Sequence, residues 1–359
     1  MILHRWLALS AVLAGVGCDP FHATFDDEEL AILYRAAEPE PGASNPVELV
    51  VMTYNVKFGG GRADFFFDCH GDRVLMTERE VRDNLRALAG KIAAVDPDVL
   101  LLQEVDVASK RSAFVDQLQW LLDHTRLSFG AYASQWRADF VPSDGLGPVD
   151  SGNAVLSRYP IVHAKRIALP LRSDQSAVER YFYLRRNILH ARIDVGGDVL
   201  DVLDLHAEAY AKDGTKLAHI ERFAAELEAL SDRGDLFLAG GDLNTLPPQT
   251  EKLVGFPDSV CEDEDFQADD FREETDYLDG LYEAYAEAIP LDDYAADNEP
   301  YFSHTTDASG FWNRRLDYLF TNGEFVSGSG LVHQDEASGG TATMPLSDHA
   351  PVSAVLALP

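Results

Sequence analysis

From residue 47 onward the sequence predicts a mixed α/β fold. Two observations carry this. Short apolar, β-branched runs alternate with stretches whose apolar residues recur at helical spacing. Hydrophobic residues make up 46% of the 359 positions, enough to bury a large core and to exclude disorder of the whole chain. The length also allows two small domains, but there are no internal repeats and no second long apolar run.

Val47 to Asn55 (VELVVMTYN) reads as a buried strand. The Gly- and Phe-rich stretch after it reads as a loop, and its Phe65-Phe66-Phe67 triplet is either core or a membrane-contacting patch. Thr77-Glu78-Arg79-Glu80 fits a capping box. Val81, Leu85, Leu88, Ile92 and Val95 follow at helical spacing, up to Asp96-Pro97. Val99 to Gln103 predicts a second buried strand, and a helix is expected over Ser112 to His124. Further strands are expected at Asn153–Ser157, Phe182–Asp194, Val199–His206, Leu236–Gly241, Leu316–Thr321 and Val352–Leu356. A helix from Thr215 to about Leu230 separates two of them.

The N-terminus reads as an export segment. Arg5 precedes an apolar run from Trp6 to Val16, too short to span a bilayer and suited to a signal peptide over 1–17. Cys18 after Gly15-Val16-Gly17 resembles a lipoprotein cleavage site, although Gly15 stands where Leu is usual. Lipidation of Cys18 would tether the chain to a membrane; a plain secretory signal is the alternative. Residues 18–46, with EPEPGASNP at 38–46, read as a linker. Cys69 and Cys261 form an even pair, and export would favour a disulfide between them over two buried thiols. The long loop so closed is worth about 4–5 kcal/mol in the chain-entropy account. No CxxC or HxxxH spacing suggests zinc.

Net charge is −32, and residues 251–300 carry half of it, with 18 acidic and 2 basic residues. That insert reads as a solvated, loop-rich face. Such a chain lacks the broad basic surface that polyanions need, so nucleic acid is disfavoured without being excluded.

The informative pattern is polar side chains at the ends of apolar strands: Asn55, Gln103-Glu104, His206, Asp242 with Asn244, Asp317, and Asp348-His349. A carboxylate ending a buried strand is costly without compensation, and ligands of α/β proteins collect at strand ends. Singly, each has a plain reading. Asn55, Asp317 and Asp242-Leu243-Asn244 suit turns, Glu104 suits a surface strand end, and His206 and His349 suit satisfied core histidines.

Together they resemble the endonuclease/exonuclease/phosphatase family of DNase I-like enzymes. The matching pieces are TYN at 53–55, LLQEVD at 101–106, SGNAVLSRYP at 151–160, the His of LDLHAEAY, GGDLNTLP at 240–247, RRLDYLF at 314–320 and PLSDHAPV at 345–352. The resemblance spans 47–356 and implies a four-layer sandwich, two packed mixed β-sheets flanked by helices, with a catalytic domain over 47–359. It implies a phosphate-ester substrate and a hard divalent cation, Mg²⁺ with Mn²⁺ or Ca²⁺ as alternatives. Carried over residue by residue, Glu104 is the chief metal ligand, with Asn55 beside it and Asp348 assisting. Asp242, helped by Asn244, acts on the attacking water. His349, held by Asp317, binds the phosphate oxygen, and His206 contacts the phosphate or the leaving group. Arg185 or Arg186 supplies a cationic contact, unless it is spent on a surface salt bridge. Asn153 and Ser157 support the fold. Lys57 departs from branches with an acidic residue at that position, which puts a second metal contact in doubt and offers a cation to phosphate. The expected protein is an exported monomer. It is a phosphodiesterase or nuclease, a lipid head-group or inositol-phosphate phosphatase, or an inactive binding relative.

Overall fold

The computed structural model describes residues 19–40, 42–66, 71–258, 270–335 and 342–359. The signal segment, Cys18, Cys69, Cys261 and Phe67 lie outside these residues. The strands in chain order are β1 (Glu28–Leu30), β2 (Ile32–Arg35), β3 (Glu48–Asn55), β4 (Val99–Asp106), β5 (Phe129–Val141), β6 (Gly147–Ser157), β7 (Ile161–Ala168), β8 (Asn187–Val195), β9 (Asp198–His206), β10 (Phe237–Asp242), β11 (Ala286–Glu287), β12 (Asp317–Thr321), β13 (Glu324–Phe325), β14 (Leu331–Val332) and β15 (Val352–Ala357). The helices are α1 (Glu78–Val95), α2 (Gln117–His124), α3 (Ala177–Phe182), α4 (Thr215–Arg233), α5 (Asp279–Ala284) and α6 (Leu291–Ala296).

Two mixed sheets result. One runs β1-β7-β8-β9-β10-β12-β11 and the other β13-β15-β3-β4-β6-β5-β2. Side chains alternate across each strand. Leu49 and Val51 of β3 and Leu101 of β4 face inward, where they meet Leu189, Val202, Leu238 and Leu319 of the other sheet. Met52, Tyr54, Leu100 and Leu102 face outward onto Val81, Leu85 and Leu88 of α1 and Leu118 and Leu121 of α2. On the far side, Leu203, Leu205 and Phe237 pack on Ile220, Phe223 and Leu227 of α4. The central strands are therefore mostly apolar because both faces are covered. Helix, sheet, sheet and helix make the four layers of the DNase I-like fold.

Local chemistry explains the boundaries. Thr77 caps α1 and both bonds of its capping box form with Glu80, while Asp96 closes it in a left-handed conformation. Three expectations are corrected. The helix foreseen from Ser112 begins only at Gln117, because Ala113 and Phe114 both take positive φ and Asp116 provides the N-cap. The strand foreseen from Phe182 begins at Asn187. Ser176 and Glu179 form a second capping box, which makes residues 177–182 helical. The acidic stretch is not only a solvated face: α5, β11 and α6 lie in it, β11 extends a sheet, and Leu281 and Tyr294 are buried.

Residues 28–35, within the stretch read as a linker, are also built into the fold. β1 pairs with β7 and β2 with β5, so one short segment closes an edge of each sheet. Phe25 just before it lies between the guanidinium groups of Arg137 and Arg166, at 4.4 and 4.1 Å. Phe65 is buried against Phe58, which is the core reading for the first residue of the aromatic triplet; Phe66 is half-buried. Among the described residues no helix is long and apolar enough to cross a membrane.

Candidate active site

Strand register assembles the site. Asp242, the last residue of β10, pairs with His206 on β9 and with Asp317 on β12. The three strand-end residues thus form one row. Gly240 and Gly241 make this approach feasible. A Cβ on Gly240 would lie 2.0 Å from the Tyr318 carbonyl oxygen, and one on Gly241, at φ +125°, would lie 2.0 Å from that of Leu205. From the other sheet, Asn55 ends β3 opposite Gln103 of β4.

Glu104 reaches this row through a β-bulge. The β4–β6 register shifts between Leu102 and Val105, and Glu104 sits in the extra position at φ +60°. A non-glycine residue held there costs about 1–3 kcal/mol, a strain that recurs at functional sites. Lys57, at φ +43°, and Asn244, at φ +50°, share this backbone region.

The side chains interlock. Asn55 Nδ2 donates to Glu104 Oε1 and to Asp242 Oδ2, both at 3.1 Å, and its Oδ1 accepts the Lys57 N–H at 3.0 Å. Asp242 Oδ2 lies 3.4 Å from His206 Nε2 and 3.5 Å from His349 Nε2. Asp242 Oδ1 accepts the Asn244 N–H at 3.0 Å. His349 Nδ1 pairs at 2.8 Å with Asp317 Oδ2, which also accepts from Ser303 Oγ at 2.6 Å. Asp242, Asp317, His206, His349 and Asn55 are buried. Glu104, Asn244 and Asp348 are partly open and form the mouth.

Electrostatics divide these groups. Burial, with Asp317 nearby, pushes Asp242 up to about 7 despite His349 and its hydrogen bonds. Burial and the Asp348 charge raise Glu104. Burial alone would lower His349, but Asp317 and Asp242 hold it up to about 10. Burial, Arg186 and His349 keep His206 well below the usual range. Burial would raise Asp348, yet Lys57, at 3.0 Å, and the neighbouring histidines hold it well below the carboxylate range.

The donor set fits a hard divalent cation on the Glu104 side. The oxygens of Glu104 and Asp242 share one amide, both carboxylates bear the strain of buried like charge, and no described cysteine intrudes. Asn55 as placed turns its nitrogen, not its oxygen, toward them. Ligand atoms of Asp242, Asp317 and His349 also lie within 4.8 Å of one another. There, however, the Asp317 and His349 atoms are engaged with each other, so an ion among them would break that bond.

The remaining expectations separate. Arg186 is buried, bonds Gln135 Oε1 at 3.2 Å, and its charge is felt at His206 and Glu104. Arg185 instead lies near Asp19, Tyr181 and Arg180, away from the row. Lys57 is paired with Asp348. Asn153 donates to the Asn187 carbonyl, and Ser157 Oγ accepts the Tyr159 N–H. Two buried groups escaped sequence reasoning. His304 Nδ1 lies 3.1 Å from His349 Nε2. Asp204 accepts from Gln103 Nε2 at 2.6 Å, and burial, reinforced by Asp242, raises it far above the carboxylate range. Asp204 was legible as a carboxylate inside an apolar strand; His304 sits in no motif.

A model of the Endonuclease/Exonuclease/phosphatase family matches residues 52–349. No curated protein sequence matches the chain. Among solved structures, an endonuclease/exonuclease/phosphatase from Beutenbergia cavernae superposes with a TM-score of 0.57 at 19% identity, over 87% of this chain and 72% of that one. A family protein from Leptotrichia buccalis gives 0.52 at 16%, over 86% of this chain and all of its own (100%). A humanized D. rerio TDP2 gives 0.51 at 14%, over 87% and 100%. Identities this low speak for the fold.

Proposed function

The chain belongs to the endonuclease/exonuclease/phosphatase family, whose members generally hydrolyse phosphoester bonds, and from that premise we propose that it is a divalent-metal-dependent phosphodiesterase acting outside the cytoplasm. The observation that carries the catalytic reading is the contact of Asp242 with Asn55, His206 and His349, with Asp317 behind His349. An Mg²⁺ or Mn²⁺ ion held by Glu104, and by Asn55 once its amide is turned to present the oxygen, would supply charge neutralisation at the phosphate.

The side chains account for the rest. Asp242 is a buried carboxylate whose raised proton affinity suits a general base for the attacking water. The Asn244 N–H fixes its second oxygen. His349, kept protonated by Asp317, presents Nε2 to the phosphate oxygen as charge builds there. His206 is held neutral and so reaches the phosphate or the leaving oxygen as a hydrogen-bond partner rather than as a cation. Arg186 adds a fixed positive charge beside them. Export rests on the Arg5 and Trp6–Val16 signal pattern. The acidic surface favours a substrate with few phosphates over long duplex nucleic acid.

The test is a panel of plasmid DNA, RNA, sphingomyelin, inositol phosphates and a chromogenic phosphodiester, with Mg²⁺, Mn²⁺ or EDTA. Metal-dependent hydrolysis of at least one, lost in Asp242→Asn and His349→Ala, supports the proposal. Hydrolysis undiminished in EDTA, or none on any substrate, refutes it. Mass spectrometry of the mature N-terminus tests export and lipidation at Cys18.

A further inference from the structure

His304 lies in the segment leading to β12 and is buried. Its backbone bridges both Arg314 and His349, and its N–H donates to the Arg314 carbonyl at 2.9 Å. The flanking segment is pinned by Asp258, which accepts from Thr305 Oγ1, the Thr306 N–H, Asn313 Nδ2 and Arg314 Nη1. The imidazole stands over that of His349, with ring centroids 4.4 Å apart and planes inclined at 54°. Its Nδ1 faces His349 Nε2 at 3.1 Å, nearer than the Asp242 oxygen at 3.5 Å.

We propose that His304 is a positioning residue for phosphate-ester hydrolysis: its hydrogen bond to Nε2 fixes the His349 ring at the end opposite Asp317 and directs that nitrogen toward the substrate. This rests on the phosphoesterase reading of the site. A ring bonded at Nδ1 alone can pivot about the Asp317 contact; a second bond across the ring removes that freedom before substrate arrives. A neutral imidazole offers one donor and one acceptor; facing the Nε2–H of His349, His304 carries its own proton on Nε2 and accepts through Nδ1. Burial, Arg314 and the facing His349 keep His304 neutral. When substrate binds, the Nε2–H is shared between the phosphate oxygen and His304, so the contact persists as charge builds on the phosphate. The role is therefore in orientation and turnover rather than in affinity.

The experiment compares His304→Phe, which keeps a ring of similar size without the bond, with His304→Asn, whose amide restores a hydrogen-bonding group near the Nδ1 position. Loss of one hydrogen bond predicts a kcat about tenfold lower in the Phe variant. KM should stay within about twofold, the Asn variant should recover most of the loss, and melting temperatures should match. Full kcat in the Phe variant overturns the inference. So does an Asn variant no better than Phe, or a rise in KM with kcat intact, which would make His304 a substrate contact. Nitrogen–proton correlation spectra of the histidine side chains, taken without substrate, give a readout free of activity. The His349 Nε2 signal should move in His304→Phe and return toward its place in His304→Asn. An unmoved signal overturns the inference even in an active enzyme. A moved signal in a protein that hydrolyses no phosphoester leaves the hydrogen bond standing and sinks the functional reading.

Discussion

Replacing Asp242 by Asn should abolish turnover and yet stabilise the metal-free protein at alkaline pH. The carboxylate rises from an ordinary 3.8 to about 7 in the fold, with burial the largest cause. Across that window the native state binds a proton that the unfolded chain has released. Stability therefore falls as pH rises from about 4 to about 7, and the full penalty stands above 7. The gap corresponds to about 4 kcal/mol. The Asn amide keeps an acceptor for the Asn244 N–H but sets an NH₂ group against Asn55 Nδ2, which faces the same oxygen at 3.1 Å. That mismatch costs about 1–2 kcal/mol. The variant should be about 2–3 kcal/mol more stable than wild type at pH 8, and slightly less stable at pH 4. Denaturant melts in EDTA across this range would read the crossing, and a chromogenic phosphodiester with Mg²⁺ would read a loss of about 10²–10⁴ in kcat. Parallel stability curves for the two proteins, or turnover above about a tenth of wild type, would refute the reasoning.

Glu104→Gln removes a carboxylate from the mouth of the site and should weaken Mn²⁺ binding at least tenfold by calorimetry; unchanged affinity would move the ion elsewhere. Gly241→Ala places a methyl 2.0 Å from the Leu205 carbonyl oxygen at φ +125° and should cost more than about 3 kcal/mol or prevent folding, as urea melts would show. Glu287→Ala leaves the Arg315 guanidinium, now paired with that carboxylate and wholly buried, without its counter-ion. A loss of about 3–5 kcal/mol is expected by denaturant titration, and a loss under 1 kcal/mol would mean that the pair is dispensable.

Much of the candidate site was legible because Asn55, His206 and Asp242 end apolar strands, while Asp317 opens another and His349 stands just before the last. Once β10 is placed between β9 and β12, register alone brings His206, Asp242 and Asp317 into a row. The bulge at Glu104 was not legible, since an extra residue in a strand is defined by the partner it fails to pair with, here Asn153 between Gly152 and Ala154 of β6. The same holds for β1 and β2. Leu30, Ile32 and Leu33 remain largely exposed, so the segment lacks a buried face of its own, and its pairing is set by β7 and β5. The strand expected from Phe182 missed the Ser176–Glu179 capping box, which makes the preceding residues helical. His304 was hidden for another reason: what holds it in place is Asp258, 46 positions earlier, through Thr305 and Arg314.

The acidity of the 251–300 stretch also takes on a different meaning. Asp258 pairs with Arg314, Glu274 with Lys216, and Glu287 with Arg315. These cations are buried and lie beside functional groups: Arg314 and Arg315 lead directly into Asp317, and Lys216 Nζ donates to the Asn244 carbonyl at 2.7 Å. Burying an unpaired cation costs several kcal/mol, so the RR dipeptide before Asp317 requires carboxylates from elsewhere in the chain. The insert supplies them, while Phe256 and Phe271 pack with Leu246 and Leu316 beneath. Net charge thus overstates how much negative field an approaching phosphate meets, because part of it is already spent inside the protein. Near the candidate site Glu104, Asp242, Asp317 and Asp348 are met by Arg62, Arg111, Arg186, Lys57 and His349. Those cations offset the carboxylates locally, so the chain-wide charge is no measure of the field that an anionic ester would meet there.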